Sequence, residues 1–518
     1  MATADAPDEM KASLSDAERA LASSTQQHGE ESELVALGYT PALRRNRSLY
    51  TILFQALAIT AVPFGEGAAL TSAIYGGGQL AYFVGWIVVA LLDQCVAVSL
   101  SELASKFPTS SGPSYWSFQL LPAGRARTIF SFITGWVWLI GNITICLSVN
   151  FGTASLIAGT ATIYHPDWVA SDWQLLLIFY AVCLGTFLIC AFGNRLLPYV
   201  DTVASVWNGL TILIVCVALS ATANAGRHSV ADALANYDQS FSGWHNFTFF
   251  IGLLPTAYTF AAIGMITSMA EEVADPARDV PTALSLVVPI SGVAGLFYIL
   301  PICFTLPPLQ DILNVPQAQA MPYVFHTVMG TPGGGLALMF LLLGVAVFCS
   351  ISISTAASRT LWAFARDQAI PFSSIWSKLI GDQVPLSALA LLTVIQMLLG
   401  LVNLGSTSAF TAFASCGVIG LAAAYAIVIA ISLVTRRKAV STARWRCPVL
   451  VGYFVNVMSI AWVAFQLVLF SMPAALPVAV ASMNYASVVL VGFMLISLIY
   501  YVTYGRKVYN GTPASDGV

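Results

Sequence analysis

The sequence AVPFGEGA at Ala61–Ala68 interrupts an apolar run, Leu49–Ile74, that is otherwise long enough to cross a membrane as a helix. It places a proline, two glycines and the carboxylate of Glu66 near the middle of that run. A simple membrane anchor needs none of these residues, and close packing of helices, which does use glycine, has no use for a glutamate. The stretch therefore predicts a broken helix with an ionisable group at its break, which is typical of transporters that bind their substrate at the middle of the bilayer.

A second interruption lies in the apolar run Phe247–Met269, which reads TFAAIGM at Thr259–Met265 and has Pro255 one turn earlier. These two runs are the first and the sixth of the chain, so they begin two successive groups of five. Interruptions at matching places in two halves indicate an inverted repeat with a binding site between the halves. For the sixth run taken alone, glycine for close helix packing is an equally good explanation.

The composition, 58% hydrophobic and only 9% charged, excludes an ordinary soluble protein. Runs of this length in lipid must be helices, because a helix satisfies all of its own backbone hydrogen bonds. The predicted fold class is an all-α polytopic membrane protein with twelve transmembrane helices, a 5+5 inverted repeat plus two C-terminal helices, and breaks in helices one and six. The predicted spans are Leu49–Ile74, Gln79–Ala104, Thr128–Thr160, Trp173–Phe192, Leu197–Ala221, Phe247–Met269, Ala283–Leu306, Leu336–Ala357, Pro385–Leu404, Ser406–Val434, Pro448–Phe470 and Tyr485–Tyr504.

The positive charges predict the orientation of these spans. With a cytosolic N-terminus, all 21 Lys and Arg residues except Arg227 fall in cytosolic connections or at cytosolic span ends. Both termini are therefore expected in the cytosol. We predict a disordered cytosolic tail at 1–48, which is acidic and polar at its start, a transporter domain at 49–504 and a short cytosolic tail at 505–518.

Four further motifs carry a resemblance to a known family. They are SELASKFPTSSG at Ser101–Gly112, MAEEVADPARDVP at Met269–Pro281, ASR with AFARDQAIP between Ala357 and Pro371, and MNYAS with YGRK between Met483 and Lys507. These motifs occur in the family's order and fit the predicted sides of the membrane. The chain therefore resembles the amino acid–polyamine–organocation permeases, and within them the fungal group that includes GABA and choline permeases. The resemblance extends from about Leu37 to Gly511.

The chain also departs from patterns in that family. Many relatives have G-x-D in the break of span six, where this chain has Ala262-Ile263-Gly264, and a histidine where it has Ser268. The lysine that replaces a sodium ion in span five of several bacterial relatives has no counterpart in Leu197–Ala221. The roles of the span-six carboxylate and of the span-five lysine therefore cannot be transferred to this chain.

The resemblance implies a substrate that carries an amine, so the residues at the two breaks are the candidate substrate site. Freed backbone groups there can bind an anion and a cation, glycines expose the amides, and aromatic rings offer a face to an ammonium. Ordinary packing is the alternative for each aromatic residue. The candidates are Phe64, Gly65, Glu66, Gly67, Tyr258, Phe260, Ala262 and Gly264.

Three roles are open for Glu66: a salt bridge to the substrate amine, a proton-binding site that couples transport, and a structural hydrogen bond to the broken backbone. The absence of Lys and Arg from the middle of every predicted span disfavours the structural role. Asp93, the other carboxylate deep in a span, is expected to make a structural hydrogen bond. The hydroxyls of Ser350–Thr355 in span eight lie where sodium-coupled relatives hold sodium, and helix packing is their alternative.

Charged residues near the cytosolic span ends are coupling or gate candidates together with Glu66. A network that closes the inner mouth is one interpretation, and surface ion pairs worth under about 1 kcal/mol are the other. These candidates are Glu102, Glu271, Glu272, Arg359 and Arg366.

The expected function is secondary active transport of an amino acid or a related small amine such as GABA, with proton-coupled uptake. The alternatives are a permease for choline, polyamine or a similar organic cation, and a transporter-like nutrient sensor. No enzyme motif such as HExxH or GxSxG occurs, so no catalytic residue, cofactor or metal is expected. The expected partners are the substrate, protons and the lipid bilayer, without nucleic acid, and the plasma membrane is preferred over internal membranes.

Overall fold

The computed structural model describes residues 34–513 and 515, except 225, 316–318, 382 and 480–482. Twelve helical segments of this part are long and apolar enough to cross a membrane, and we number them spans one to twelve. They are Leu49–Ala68, Gln79–Lys106, Arg125–Ala161, Asp172–Phe192, Asn194–Thr222, His245–Glu272, Pro276–Thr305, Pro332–Arg366, Leu386–Leu404, Ser415–Val434, Val449–Leu469 and Ala486–Val508. The described residues form no β-strand beyond two isolated bridges. The predicted all-α, twelve-span fold is confirmed.

Both predicted breaks are present in the helices. Span one consists of Leu49–Thr60 and Val62–Ala68, followed by a short helix at Leu70–Tyr75. Span six begins with short helical pieces, of which Leu254–Phe260 is the last, and its second half is a 3₁₀ helix at Ile263–Glu272. A 3₁₀ stretch of this length is uncommon and often marks a hinge or a functional site.

Several spans extend beyond their predicted ends on the side that carries the positive charges. Span eight, predicted to end at Ala357, continues to Arg366, and span seven begins at Pro276 rather than at Ala283. Hydropathy falls at these ends because charged residues appear, but the backbone remains helical where nothing interrupts it. The motif that contains Arg359 and Arg366 therefore lies partly on a helix instead of wholly in a loop.

Shorter helices cover the two ends of the bundle. Pro113–Leu120 and Ser373–Trp376 lie on the predicted cytosolic side, whereas Val230–Ala235, Leu309–Leu313 and Ala320–Met329 lie on the opposite side. The helix Ala320–Met329 packs between spans one, three and eight. It thus covers the break of span one from the outside.

Residues 34–48 belong to the segment for which the sequence predicts disorder, yet they pack against the predicted cytosolic end of the bundle. Leu34, Leu37 and Tyr39 are buried, and Arg47 is only 1% exposed. The backbone of Arg47 pairs with the segment after span six, because its N–H donates to the carbonyl of Glu272 at 3.0 Å and its carbonyl accepts from Ala274 at 2.9 Å. Buried apolar and ionic contacts order this part of the tail. Residues 1–33 lie outside the described part of the chain.

The orientation can be tested at the connection between spans seven and eight. A cysteine in place of the exposed Asn314 is expected to react with a membrane-impermeant maleimide from outside the cell only. A cysteine in place of Lys378 is the matched control and should react only after the membrane is made permeable. Labelling of the Asn314 variant from the cytosol alone would overturn the twelve-span topology.

Candidate functional site

The break in span one is centred on Ala61. This residue adopts a left-handed conformation, with φ 40° and ψ 55°, which L-residues other than glycine rarely use. Its N–H closes the first half-helix on Leu57 at 3.0 Å, and its carbonyl accepts from Phe64 and Gly65 to begin the second half. Pro63 supplies no N–H to the carbonyl of Ile59, and the thiol of Cys349 in span eight donates to that carbonyl at 3.4 Å.

The glycines of span one have a different role from the expected one. The amide of Gly65 is engaged with the carbonyl of Ala61, so it is not free to bind an anion. A Cβ atom at Gly65 would overlap the side chain of Thr259 in span six, and one at Gly67 would lie 2.9 Å from Met321. Both glycines therefore allow close approach, Gly65 to span six and Gly67 to the outer helix.

Glu66 is fully buried between spans one, two, six and seven. The hydroxyl of Thr259 donates to its Oε1 at 3.2 Å, while Oε2 has no hydrogen-bond partner among the described residues. Tyr82 of span two and Tyr298 of span seven lie close to this carboxyl group, and their hydroxyls also lack partners in the described part. No ion pair to Glu66 occurs within that part of the chain, in line with the expected absence of a permanent cation.

A single tyrosine bridges the break in span six. The hydroxyl of Tyr425, from span ten, accepts from the N–H of Gly264 at 3.1 Å and donates to the carbonyl of Ala261 at 3.1 Å. A Cβ atom at Gly264 would lie 2.6 Å from the ring of Tyr425, so this close approach requires glycine. Ala262, between the two bonded groups, is buried. The hydroxyl of Tyr425 therefore satisfies one backbone donor and one backbone acceptor at the interruption.

The candidate aromatic residues separate into two groups. Phe64 approaches Gly152 of span three, and the hydroxyl of Tyr258 lies 3.1 Å from that of Ser148 in the same span. Phe260 packs on Trp86 of span two, with ring centroids 5.2 Å apart. Phe64 and Tyr258 thus meet on the span-three side of the breaks, whereas Phe260 belongs to a packing contact with span two.

A buried ionic cluster lies at the predicted cytosolic end of the bundle. Glu272 accepts from Arg359 at 2.8 Å and from Arg47 at 3.4 Å, and Arg47 also pairs with Asp201 at 2.8 Å. The Arg359 side chain continues to Asn194 at 2.6 Å. These contacts join the N-terminal segment with spans five, six and eight. Because the two arginines are no more than 1% exposed, the surface-pair interpretation does not apply to this cluster.

A second cluster lies beside the first. Arg366 forms a two-pronged pair with Glu271, at 2.8 and 2.9 Å, and its guanidinium lies 3.9 Å from the ring centroid of Tyr39. The hydroxyl of Tyr39 donates to Asp367 at 3.0 Å, and Ser111 donates to the same carboxylate at 2.8 Å. The segment at 34–48 is therefore attached to the gate candidates at two points, Tyr39 and Arg47.

Three further sets of candidates are engaged elsewhere. Glu102 pairs with Arg437 and accepts from the N–H of Cys447 at 2.9 Å, away from the other gate candidates. Asp93 accepts from Trp462 of span eleven at 2.8 Å, which is the expected structural hydrogen bond. The span-eight hydroxyls of Ser350, Ser352, Ser354 and Thr355 contact Thr153, Asp201, Cys146 and Cys190 respectively.

The Asp367 contact predicts a pH dependence. Burial raises the pKa of Asp367 from an ordinary value of 3.8 to about 6, although Arg366 and the hydrogen bonds from Ser111 and Tyr39 act in the opposite direction. The docked state therefore holds the proton more tightly, and its docking should weaken as the pH rises through 4 to 6. The protection of residues 34–48 against hydrogen exchange, expressed relative to the intrinsic exchange rate at each pH, should be greater at pH 5 than at pH 7.5. The Asp367→Asn variant should lose this dependence, while Asp275→Asn, which removes a partly buried partner of Arg444, should keep it.

Sequence reasoning missed several contributors to these arrangements, among them Arg47, Asp201, Tyr425, Tyr82 and Tyr298. Asp201 had a visible signal, since it is a carboxylate inside the predicted fifth span. Arg47 entered the prediction only as one of the positive charges on the cytosolic side. The tyrosines had no signal, because partners that are far apart in the chain cannot be read from one apolar run.

Comparisons with known proteins identify the family of this chain. The family model for amino acid permeases matches residues 52–494. The chain is 27% identical to the choline transporter of Saccharomyces cerevisiae, over 92% of this chain and 84% of that protein. It is 30% identical to the amino-acid permease BAT1 homolog of Oryza sativa subsp. japonica, over 92% and 94%, and 28% identical to the polyamine transporter TPO5 of Saccharomyces cerevisiae, over 89% and 75%. The chain is a multi-pass integral membrane protein that belongs to the amino acid permease family.

Proposed function

We propose that this permease takes up an amino acid or a related small amine such as GABA together with a proton, and that Glu66 binds the coupled proton. The observation that carries the proposal is the position of Glu66, buried beside the break of span one without a cation from the described residues. Leaving a charge unpaired in a membrane protein costs several kcal/mol, so such a group is retained for function. An acidic side chain here can take a proton from one side of the membrane and release it on the other when the surrounding helices open.

In this proposal the proton site and the amine site lie on different faces of the broken helix. Phe64 and Glu66 are two residues apart on one helix, so their side chains point to different faces. Phe64 and Tyr258 face span three, where their rings could meet an ammonium group, whereas Glu66 faces Tyr82 and Tyr298. This arrangement favours proton binding by Glu66 over a direct salt bridge to the substrate.

The ionic clusters suit the role of an inner gate. They connect the half-helix that ends at Glu272 with span eight and with the segment before span one. Opening towards the cytosol would require these pairs to separate, and breaking a buried pair costs about 3–5 kcal/mol when one partner is left alone. The proton and the substrate would supply the free energy that shifts this equilibrium.

A permease for choline or a polyamine is the second candidate. Two relatives bear those names, and the aromatic faces of Phe64 and Tyr258 also suit a quaternary amine. Uptake competition by a panel of amino acids, GABA, choline and spermidine separates the candidates. With the protein in vesicles of defined internal pH, uptake that is accompanied by proton entry supports coupling, and uptake independent of the pH gradient contradicts it. Uptake into whole cells would further support the proposed location in the plasma membrane.

A further inference from the structure

The predicted cytosolic ends of spans ten and eleven line an open cavity of about 660 Å³ whose wall contains none of the substrate or gate candidates. Three exposed cations line it, Arg436, Lys438 and Arg446. The hydroxyl-bearing residues Ser441 and Tyr453 complete the polar wall, and no carboxylate belongs to the described lining. The cavity is therefore strongly positive, and it is built to hold an anion.

Arg437 forms the floor of this cavity and is only 6% exposed. It pairs with Glu102, and its Nη1 donates to the carbonyl of Val449 at 3.0 Å. Its Nε has no hydrogen-bond partner among the described residues, although it is buried. Glu102 thus neutralises the charge of Arg437 only. The three exposed cations of the cavity form no side-chain ion pair within the described part of the chain.

The backbone holds these side chains in place. Arg436 and Arg437 both have positive φ angles, 58° and 54°, so the chain turns sharply where span ten ends. The guanidinium of Arg437 lies against Gly452, where a Cβ atom would overlap it. Two consecutive left-handed residues without glycine are costly and persist only where surrounding contacts determine them.

The rim of the cavity is apolar on the side of the lipid. Val449, which is part of the cavity wall, is 68% exposed, and its chain neighbour Leu450 is 84% exposed. Val434, two residues before Arg436, is 82% exposed. A ligand with a negative head and an apolar tail matches this combination, since its head would contact the cations while its tail lies along spans ten and eleven. Basic pockets between helices at the cytosolic surface bind anionic lipid headgroups for this reason.

We propose that this cavity, which we call the basic cavity, binds the phosphate-bearing headgroup of an anionic phospholipid in the cytosolic leaflet. Lys438 and Arg446 contact the headgroup, Arg437 supplies the buried donor, and the acyl chain lies along Leu450. The site ties spans ten and eleven to the lipid composition of the inner leaflet.

The test uses the full-length protein in nanodiscs that contain phosphatidylcholine with increasing amounts of phosphatidylserine, and native mass spectrometry counts the retained lipids. The wild type is expected to retain one phosphatidylserine in preference to phosphatidylcholine. The Lys438→Gln/Arg446→Gln double variant should lower that preference by about ten-fold or more. The Arg506→Gln/Lys507→Gln variant removes the same charge from exposed residues at the end of span twelve, and it should retain the lipid. The charge-preserving Lys438→Arg/Arg446→Lys variant should also retain it.

Equal loss of phosphatidylserine in both Gln variants would overturn the proposal, because the preference would then follow net charge rather than this cavity. Displacement of the lipid by inorganic phosphate at millimolar concentration would overturn it as well, since a free anion would then be sufficient. If an acidic peptide with the sequence of residues 1–33 binds the basic cavity more tightly than phosphatidylserine does, the proposal is wrong and the cavity is a site for a protein segment. The midpoint of thermal unfolding, measured for each variant, establishes that the protein is folded.

Discussion

Replacement of Glu66 by Gln is expected to abolish accumulation of the substrate against a gradient, while exchange of substrate across the membrane continues. The substitution keeps the size of the side chain and the oxygen that accepts from Thr259 at 3.2 Å, so the break should retain its shape. It removes only the ability to bind and release a proton. Accumulation depends on that step, whereas exchange requires only that the loaded protein open to either side.

The measurements are uptake under an imposed pH gradient, counterflow of labelled substrate, and substrate affinity as a function of pH. Affinity in the Glu66→Gln variant should be similar to that of the wild type and should no longer depend on pH. If Glu66 instead pairs with the substrate amine, binding itself should weaken by about 2–5 kcal/mol, and exchange should fail together with accumulation. Unchanged accumulation would contradict both roles.

Asp93→Asn is the matched control for this experiment. Asp93 is also a carboxylate in a span, but its Oδ1 accepts from Trp462 at 2.8 Å and connects span two with span eleven. The amide keeps that acceptor, so accumulation should be preserved. Loss of accumulation in both variants would show that coupling does not reside in Glu66 alone.

The positions of the spans could be predicted closely because lipid imposes a simple rule. A membrane helix needs a continuous apolar run, and such runs are visible in composition. The ends were less predictable, as span eight illustrates: Arg359 and Arg366 end the apolar run but not the helix. Past the end of the apolar run, the helix continues because its charged residues are buried against neighbouring parts of the protein.

The breaks were predictable in place but not in geometry. Pro63 marked the break of span one correctly, because its missing N–H removes a helical hydrogen bond. The glycines suggested free amides, yet the left-handed residue is Ala61, and Gly65 serves close approach to Thr259. Which role a glycine has depends on what lies opposite, and that information is absent from a single sequence.

The candidate site was predictable only where a residue was unusual for its surroundings. Glu66 was visible as a carboxylate in an apolar run, and the structure places it among Thr259, Tyr82 and Tyr298. The gate candidates were visible as charges at span ends, and four of them, Glu271, Glu272, Arg359 and Arg366, lie in the two clusters. Glu102 had the same sequence signal but pairs with Arg437 outside those clusters.

Gly264→Leu is expected to abolish transport through a direct clash at the break of span six. A Cβ atom there would lie 2.6 Å from the ring of Tyr425, and the remaining leucine atoms would need still more space. The ring cannot withdraw without losing its hydrogen bonds to Gly264 and Ala261, at 3.1 Å each. Gly209→Leu is the control, because a Cβ atom at that position in span five meets nothing within 4 Å, and its uptake should remain near that of the wild type.

Tyr425→Phe tests the same bridge without adding volume. It leaves the N–H of Gly264 and the carbonyl of Ala261 without their shared partner, and each unsatisfied buried group costs about 1–3 kcal/mol. The half-helix at Ile263–Glu272 should then lose its fixed position, and uptake should fall by about ten-fold or more if that position is required in the rate-limiting state. Both variants should reach the membrane in normal amounts, as measured by surface labelling. Near-normal uptake in Gly264→Leu would show that the substrate site does not lie at this break. Normal uptake in Tyr425→Phe alone would show that steric fit, rather than the hydroxyl bridge, maintains the interruption.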